Sequence, residues 1–145
     1  MCPGSLYEKT EIAIVIPTKN EEEGIGEVID GLHRVLKGRS YVIIVVDGHS
    51  TDRTVEIARS KGADVIMQDG TGYGDAYMQG FTYAIKKYDP QILVMIDGDY
   101  TYDPLELPEL LKALDGADIV LGNRLTNSLP GAMSIVNKVG NKVLS

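Results

Sequence analysis

Two carboxylates separated by one glycine, Asp97 and Asp99, follow directly on the apolar run at residues 92–96. In an extended strand tip, the side chains of residues i and i+2 point the same way. Two adjacent carboxylates repel each other, so they need a cation, a shared proton or solvent between them. Because hard divalent cations prefer oxygen ligands, the pair favours a Mg²⁺ or Mn²⁺ site over a solvated acidic turn.

A third carboxylate, Asp47, closes the apolar run at residues 41–46 in the same way. We interpret Asp47 as a ligand contact, since a carboxylate there would accept hydrogen bonds from a nucleobase or a ribose. The polar residues that follow are interpreted as a capping turn, with Ser50 or Thr51 as the N-cap of the next helix.

Residues 17–21 (Pro-Thr-Lys-Asn-Glu) leave the first apolar run and enter a helix. Pro17 is expected to stop the sheet ladder, because proline has no N–H to donate. Asn20 is a candidate helix cap, and Glu21 would complement the helix dipole. Taken alone, these residues favour a structural role.

A glycine-rich segment at residues 70–75 opens the third helix, where backbone N–H groups would approach a diphosphate. It follows the third apolar run, whereas the dinucleotide-binding fingerprint follows the first strand, so an oxidoreductase is disfavoured. Asp75 either contacts a ligand or caps the helix. Arg124 follows the fifth run and is a candidate diphosphate clamp, because a guanidinium matches two phosphate oxygens.

Five short apolar runs must position these residues. They are rich in Ile and Val and typical of strands buried on both faces, and they occupy residues 12–16, 41–46, 64–67, 92–96 and 118–121. Segments of helical period alternate with them. This order predicts an α/β fold: one mostly parallel sheet with helices on both faces, as a single domain over residues 1–145. Ligands of such sheets bind beyond the carboxyl ends of the strands.

Residues 134–145 carry one more apolar stripe of helical period that is still running at the last residue. We expect a helix there, in a domain that lacks its C-terminal, acceptor-binding part. His33 and His49 share no ligand spacing, and His33 is expected at the surface of the first helix. Neither a zinc site nor a Ser-His-Asp arrangement is indicated.

Composition narrows the possible environments and partners. Of 145 residues, 43% are hydrophobic and 24% charged, as in soluble globular proteins. The net charge of -7 disfavours nucleic acid as a partner. Cys2 is the only cysteine, which excludes an intrachain disulfide, and no apolar run approaches the ~20 residues of a membrane span. Residues 1–11 lack the apolar core of a signal peptide, so a cytoplasmic location is expected.

Four motifs together resemble the family 2 glycosyltransferases of the GT-A fold. They occupy residues 17–21, 45–52, 72–76 and 95–99, each at a strand end. Within the family, the dolichyl-phosphate mannosyltransferase and polyprenyl-phosphate glucosyltransferase group is the most similar. The resemblance implies a GT-A, Rossmann-like domain that binds a nucleotide sugar and uses Mg²⁺ or Mn²⁺.

The resemblance also implies roles for individual residues. The residues implied to bind the nucleotide sugar are Pro17, Asn20, Glu21, Asp47, Asp75, Asp97 and Gly98. Among them, Asp47 matches the carboxylate that holds the base. Asp97 and Asp99 match the metal-binding Asp-x-Asp pair. Asp99 and Arg124 are the implied catalytic residues, with Arg124 near the diphosphate or the acceptor phosphate.

The implied reaction is an inverting, metal-dependent transfer of a hexose from a GDP-mannose or UDP-glucose type of donor. The implied acceptor is a polyprenyl or dolichyl phosphate, which would bring peripheral contact with the cytoplasmic face of a membrane. Two alternatives stay open. One is a haloacid dehalogenase-like phosphatase with Asp97 as nucleophile and Asp99 as acid/base; the other is a non-catalytic nucleotide-binding module. The sequence does not indicate an oligomeric state.

Overall fold

A computed structural model describes residues 10–99, 103–115, 119–121 and 135–138. The strands are β1 (Ile12–Thr18), β2 (Tyr41–Asp47), β3 (Asp64–Met67), β4 (Ile92–Met95), β5 (Ile119–Leu121) and β6 (Ile135–Lys138). The helices are α1 (Ile25–Val35), α2 (Thr54–Ser60), α3 (Tyr73–Tyr88) and α4 (Leu107–Ala113). A 3₁₀ turn at Pro104–Glu106 precedes α4, and the Asp103 side chain accepts a hydrogen bond from Leu105 N at its start. No helix within the described ranges is long and apolar enough to cross a membrane.

The strands form one sheet in the order β3-β2-β1-β4-β6-β5. The pairs β1–β2, β1–β4 and β2–β3 are parallel, which confirms the predicted mostly parallel sheet. Strand β1 runs further than predicted and includes Pro17, since the pairing continues when Gly48 N donates to Thr18 O. The missing N–H of Pro17 therefore does not end the strand.

Strand β6 corrects the helix predicted over residues 134–145 at residues 135–138; the rest of that predicted helix lies outside the described residues. Ile135–Lys138 pair antiparallel with both β4 and β5, with Ile135 opposite Met95 and Leu121. Ile135 and Val136 are β-branched, and a short apolar run fits either a helix or a strand. The run forms a strand because β4 and β5 each supply backbone hydrogen-bond partners for it.

The core lies on both faces of the sheet. Strand β1 alternates between them: Ile14 faces one side and Val15 the other, and both are fully buried. Helices α1, α2 and α4 pack on the Ile14 face, while α3 packs on the Val15 face. Helices therefore cover both faces of the sheet, as the alternation of strands and helices predicted.

Two helix starts differ from the prediction. Helix α1 begins at Ile25, and Asn20 does not cap it; helix α2 begins at Thr54, and Thr51 does not cap it. Instead, Thr51 N donates to Asn20 Oδ1 at 2.8 Å, so the two candidate caps bond to each other across two loops. Asp52 serves the start of α2, accepting a hydrogen bond from Thr54 N at 3.0 Å.

His33 is half-buried rather than the simple surface residue expected. Its Nε2 lies 2.7 Å from the carbonyl of Lys61, and its Nδ1 lies 2.5 Å from the Tyr41 hydroxyl. Because a carbonyl only accepts, Nε2 carries the proton and Nδ1 accepts from Tyr41. His33 therefore joins α1 to β2 and to the end of α2. Helical period cannot reveal such partners, since it reports only the apolar face.

Helix α3 packs closely against strands β1 and β2 of the sheet. Its buried inner residues are small: Ala76, Gly80 and Ala84. A Cβ added at Gly80 would stand 2.3 Å from Val15 Cγ1 and 2.9 Å from Val46 Cγ2. Glycine at this position therefore sets the distance between helix and sheet.

We predict that Gly80→Ala destabilises the fold by about 1–3 kcal/mol, because the methyl group forces α3 away from β1 and β2. Gly74→Ala in the same helix is the control. A Cβ at Gly74 meets nothing within 4 Å, so alanine should instead stabilise the helix by about 0.5–1 kcal/mol. Urea denaturation of both variants measures this, and equal effects would contradict the close-packing account.

Candidate functional site

The tips of β1 and β2 are held together by the buried carboxylate of Asp47. Thr18 lies opposite Asp47 in the parallel pairing, and its Oγ1 donates to Asp47 Oδ1 at 2.8 Å. Ser50 donates twice to the same carboxylate, from its backbone N at 2.7 Å and from Oγ at 2.7 Å. Asp47 is 0% exposed, so these hydrogen bonds replace the water that a carboxyl group loses on burial. Its direct contact with a base stays a prediction.

The loops that follow these two strands are joined to each other by further hydrogen bonds. Asn20 N donates to Ser50 Oγ at 2.8 Å, and Glu21 N donates to Thr54 Oγ1 at 2.8 Å. Asn20 has a φ of 54°, a left-handed conformation that asparagine tolerates better than most residues. The predicted binding residue Asn20 therefore shapes the loop in which Glu21 lies.

The carboxylate pair predicted to bind metal lies just beyond β4. Tyr77 of α3 donates its hydroxyl to Asp97 Oδ1 at 3.0 Å and so fixes one carboxylate of the pair. Burial, followed by the charge of Asp97, raises the pKa of Tyr77, so this hydroxyl keeps its proton and remains a donor. Tyr77 was not among the predicted site residues.

Two glycines allow the backbone of this pair to lie between β1 and α1. A Cβ on Gly98 would stand 2.9 Å from Thr18 Cγ2 and 3.3 Å from Ile16 Cγ2. A Cβ on Gly24, next to the start of α1, would stand 2.9 Å from the carbonyl carbon of Asp99. The predicted site residue Gly98 therefore has a packing role, and Gly24 was missed.

Glu21 shares the electrostatic environment of this pair. Burial first, and then the negative charges of Asp99, Asp97 and Asp52, raise its pKa. Within the described ranges, no three His, Cys, Asp or Glu side chains are grouped closely enough to hold a metal ion. Two carboxylates nevertheless fit Mg²⁺ or Mn²⁺, because such ions often take one or two protein carboxylates and complete their shell with water and phosphate oxygens.

A cavity of about 480 Å³ opens at the same edge of the sheet as the pair. It is lined by residues 17–19, 48–49, 68, 70–73 and 76. Among the predicted nucleotide-binding residues, Pro17 lines it directly. Gly98 packs against Thr18, another lining residue, and so connects the cavity with the carboxylate pair.

The walls of this cavity are linked by residues that sequence analysis did not select. Lys19 Nζ donates to Gly48 O at 2.7 Å, and His49 Nε2 lies 2.9 Å from Gln68 O. Gln68 Nε2 in turn donates to Gly72 O at 2.9 Å. The only available signal was position, since Lys19 and His49 lie inside two motifs and Gln68 is the first residue after β3.

Two further predicted residues, Asp75 and Arg124, have no ligand contact that the structure tests. Asp75 is exposed and lies in the first turn of α3, where its Oδ2 is 3.4 Å from Thr71 N. Asp75 thus supports the glycine-rich loop. Its contact with a ligand stays a prediction. Arg124 lies outside the described residues, so its predicted role as a phosphate clamp has no geometry to test it.

Comparisons with known proteins assign this chain to a family. Residues 13–132 match the family described as glycosyl transferase family 2. The chain belongs to glycosyl transferase family 2. This assignment favours a glycosyltransferase over the haloacid dehalogenase-like phosphatase.

Family 2 relatives cover nearly the whole of this chain. The low-salt glycan biosynthesis hexosyltransferase Agl6 of Haloferax volcanii is 42% identical over 139 residues, which are 92% of this chain and 33% of that protein. The dolichyl-phosphate hexose transferase of the same organism is 40% identical over 136 residues, 93% of this chain and 57% of that protein. This chain thus spans a third to somewhat over half of these relatives.

A solved structure supports the fold. Glucosyl-3-phosphoglycerate synthase from Mycobacterium tuberculosis, in complex with Mn²⁺, UDP-glucose and glycerol 3-phosphate, matches with a TM-score of 0.70 at 25% identity. The match covers 89% of this chain and 57% of that chain. The predicted GT-A fold is therefore confirmed for this family 2 chain.

The raised pKa of Glu21 predicts a pH-dependent effect on stability. The folded protein protonates Glu21 more readily than the unfolded chain does, so its ionisation weakens the fold as pH rises through the folded-state pKa. We expect Glu21→Gln to be more stable than the parent at neutral pH in chelator. The difference should vanish below the ordinary glutamate pKa of 4.5.

Urea denaturation at neutral and acidic pH measures the effect of Glu21→Gln, with Glu23→Gln as the control. Glu23 lies in the same loop but is exposed. A stabilisation by Glu21→Gln that persists at acidic pH would show that packing, and not charge, is responsible.

Proposed function

We propose that this chain forms the donor-binding part of a metal-dependent hexosyltransferase that takes its sugar from a nucleoside diphosphate. The observation that carries the proposal is the juxtaposition of the 480 Å³ cavity with the Asp97–Asp99 pair, joined through Gly98 and Thr18. A nucleoside in the cavity would direct its diphosphate towards the carboxylates. Family membership and the Mn²⁺ and UDP-glucose of the solved synthase support this orientation.

Asp97 and Asp99 are the residues that would hold Mg²⁺ or Mn²⁺. The bound cation would supply positive charge for the nucleoside diphosphate that departs when the sugar is transferred. Tyr77 holds Asp97 in place through its hydroxyl, and Gly24 and Gly98 let the backbone of the pair approach the neighbouring elements. The contribution of the chain is thus positioning and electrostatic stabilisation.

The acceptor in this proposal is a phosphate monoester, with polyprenyl or dolichyl phosphate as the favoured form. One relative is named for dolichyl phosphate, and the solved synthase holds glycerol 3-phosphate; both compounds carry such a group. An ionised phosphate oxygen attacks the anomeric carbon without a strong general base and inverts its configuration. Arg124 is proposed to contact the diphosphate or this phosphate. A lipid acceptor would bring the protein to the cytoplasmic face of a membrane.

Calorimetric titration tests the donor site directly. GDP, UDP and their mannose and glucose conjugates are titrated with Mn²⁺ and with chelator into the protein and its Asp97→Ala/Asp99→Ala variant. We expect one nucleotide series to bind in a Mn²⁺-dependent manner and the double variant to lose that binding. Absence of binding by folded protein would refute the donor site. Binding without transfer to any lipid phosphate, also in a longer chain, would indicate a non-catalytic module.

Tyr77→Phe tests the link between α3 and the carboxylate pair. Loss of the hydroxyl leaves Asp97 less well oriented, and such supporting residues typically contribute tenfold or more to metal affinity. We therefore predict that Mn²⁺-dependent nucleotide binding weakens by about tenfold. Tyr83→Phe is a matched control, since Tyr83 in the same helix donates to Asp64, where β3 begins. Equal losses in both variants would contradict the proposed role.

A further inference from the structure

Helix α3 carries large apolar side chains on the side away from the sheet. Met78 is 65% exposed and Ile85 is 39% exposed, whereas the buried, sheet-facing residues of the helix are small. Seven residues separate Met78 from Ile85, so they lie on one face, about 10 Å apart along the axis. The exposed residues of this side are called the outer face of α3: Asp75, Met78, Thr82, Ile85 and Lys86. A surface helix normally turns its large apolar residues towards the core, so a second apolar face indicates a partner.

An open groove of about 530 Å³ lies between the outer face of α3 and strand β3. It is lined by Ile66, Met78, Gln79, Thr82, Tyr83 and Lys86. Ile85 does not line the groove and stands beside it as an exposed ridge. Helices pack by inserting the ridge of one into the groove of another, so this helix carries both halves of such a contact. The groove shares no lining residue with the cavity at the strand ends.

The charges on the outer face are complementary to those of a second copy. Asp75 lies in the first turn of α3 and Lys86 in the last turn, and both are exposed. Two antiparallel copies of the helix would therefore bring opposite charges together at both ends. A lipid surface fits less well, because helices that lie on membranes are rich in Lys and Arg. Here Asp69 and Asp89 add exposed negative charge near the two ends of α3, and Lys87 is already held in an ion pair with the start of β3.

We infer that a second copy of this chain docks on the outer face of α3 and forms a two-fold dimer with the two α3 helices antiparallel. In this dimer, Ile85 of one copy enters the groove beside Met78 of the other copy. Lys86 of each copy approaches Asp75 of the other. A two-fold interface repeats each contact, so every pair contributes twice. The inference does not rest on the proposed donor-binding function.

Sedimentation equilibrium of the full chain over about 1–300 µM measures this association. Two helices cover a small area, so we expect a weak dimer with a dissociation constant in the micromolar range. Met78→Glu should weaken the association by more than about tenfold, because the interface would bury a carboxylate without a partner. Met78 is largely exposed in one copy, so this substitution should leave the fold intact, which circular dichroism checks.

Leu105→Glu is the matched control. Leu105 is 50% exposed and lies in the 3₁₀ turn before α4, which packs on the face of the sheet opposite to α3. This substitution also places a carboxylate on an exposed apolar residue, but outside the proposed interface. It should leave the association unchanged.

A pair of charge variants tests the antiparallel arrangement. Asp75→Lys alone and Lys86→Glu alone each place like charges opposite one another in a dimer of identical copies, so each should associate more weakly than the parent. A mixture of the two variants should associate again, because both charge pairs of the mixed dimer are then of opposite sign. Recovery in the mixture cannot come from a defect in the fold of either variant.

A parent chain that stays monomeric over the whole concentration range would overturn the inference. Equal weakening by Met78→Glu and Leu105→Glu would show that the association does not use the outer face. A mixture of the charge variants that fails to associate would contradict the antiparallel arrangement. Binding of a monomeric parent, but not of Met78→Glu, to vesicles of phosphatidylglycerol and phosphatidylcholine would assign the outer face to lipid instead. Loss of the donor site in the calorimetric test would leave the dimer unaffected.

Discussion

The buried carboxylate of Asp47 is the constraint on which the edge of this sheet depends. A fully buried carboxyl group requires hydrogen-bond partners, and here Thr18 and Ser50 provide them. Thr18 belongs to β1 and Ser50 to the loop after β2, so satisfying one carboxylate fixes two strand tips and a loop together. Loss of either donor would leave a buried carboxyl oxygen with fewer hydrogen bonds. The same hydrogen bonds therefore hold the part of the cavity wall that Thr18 and Gly48 form.

Close backbone approach is the second condition for the site. Gly80 brings α3 down on β1 and β2, and Tyr77 precedes it by about one helical turn, within reach of Asp97. Gly98 and Gly24 allow the segment after β4 to pack closely between β1 and the start of α1. In each case the absence of a side chain lets two elements approach closely. A larger residue at any of these positions would force its neighbours to move.

Sequence patterns predicted the sheet well because its strands are short, apolar and bounded by polar residues. The parallel order and the site at the strand ends followed from that alternation. Residues whose partners lie far along the chain were predicted poorly. Asn20 and Thr51 looked like helix caps but bond to each other, and Gln68 carried no motif at all. Strand β6 was missed because its β-branched residues also fit a helical stripe, and only pairing with β4 and β5 decides between them.

The central claim is that nucleotide and metal share the edge formed by β1, β2 and β4. Paramagnetic broadening of amide NMR signals by Mn²⁺, with and without the nucleoside diphosphate that binds, tests it most directly. The account predicts that the nucleotide makes low concentrations of Mn²⁺ broaden the signals of Gly24, Gly98 and Asp99 first, while signals near Asp64 stay sharp. Nucleotide-dependent broadening centred elsewhere, or none at these residues, would contradict the account.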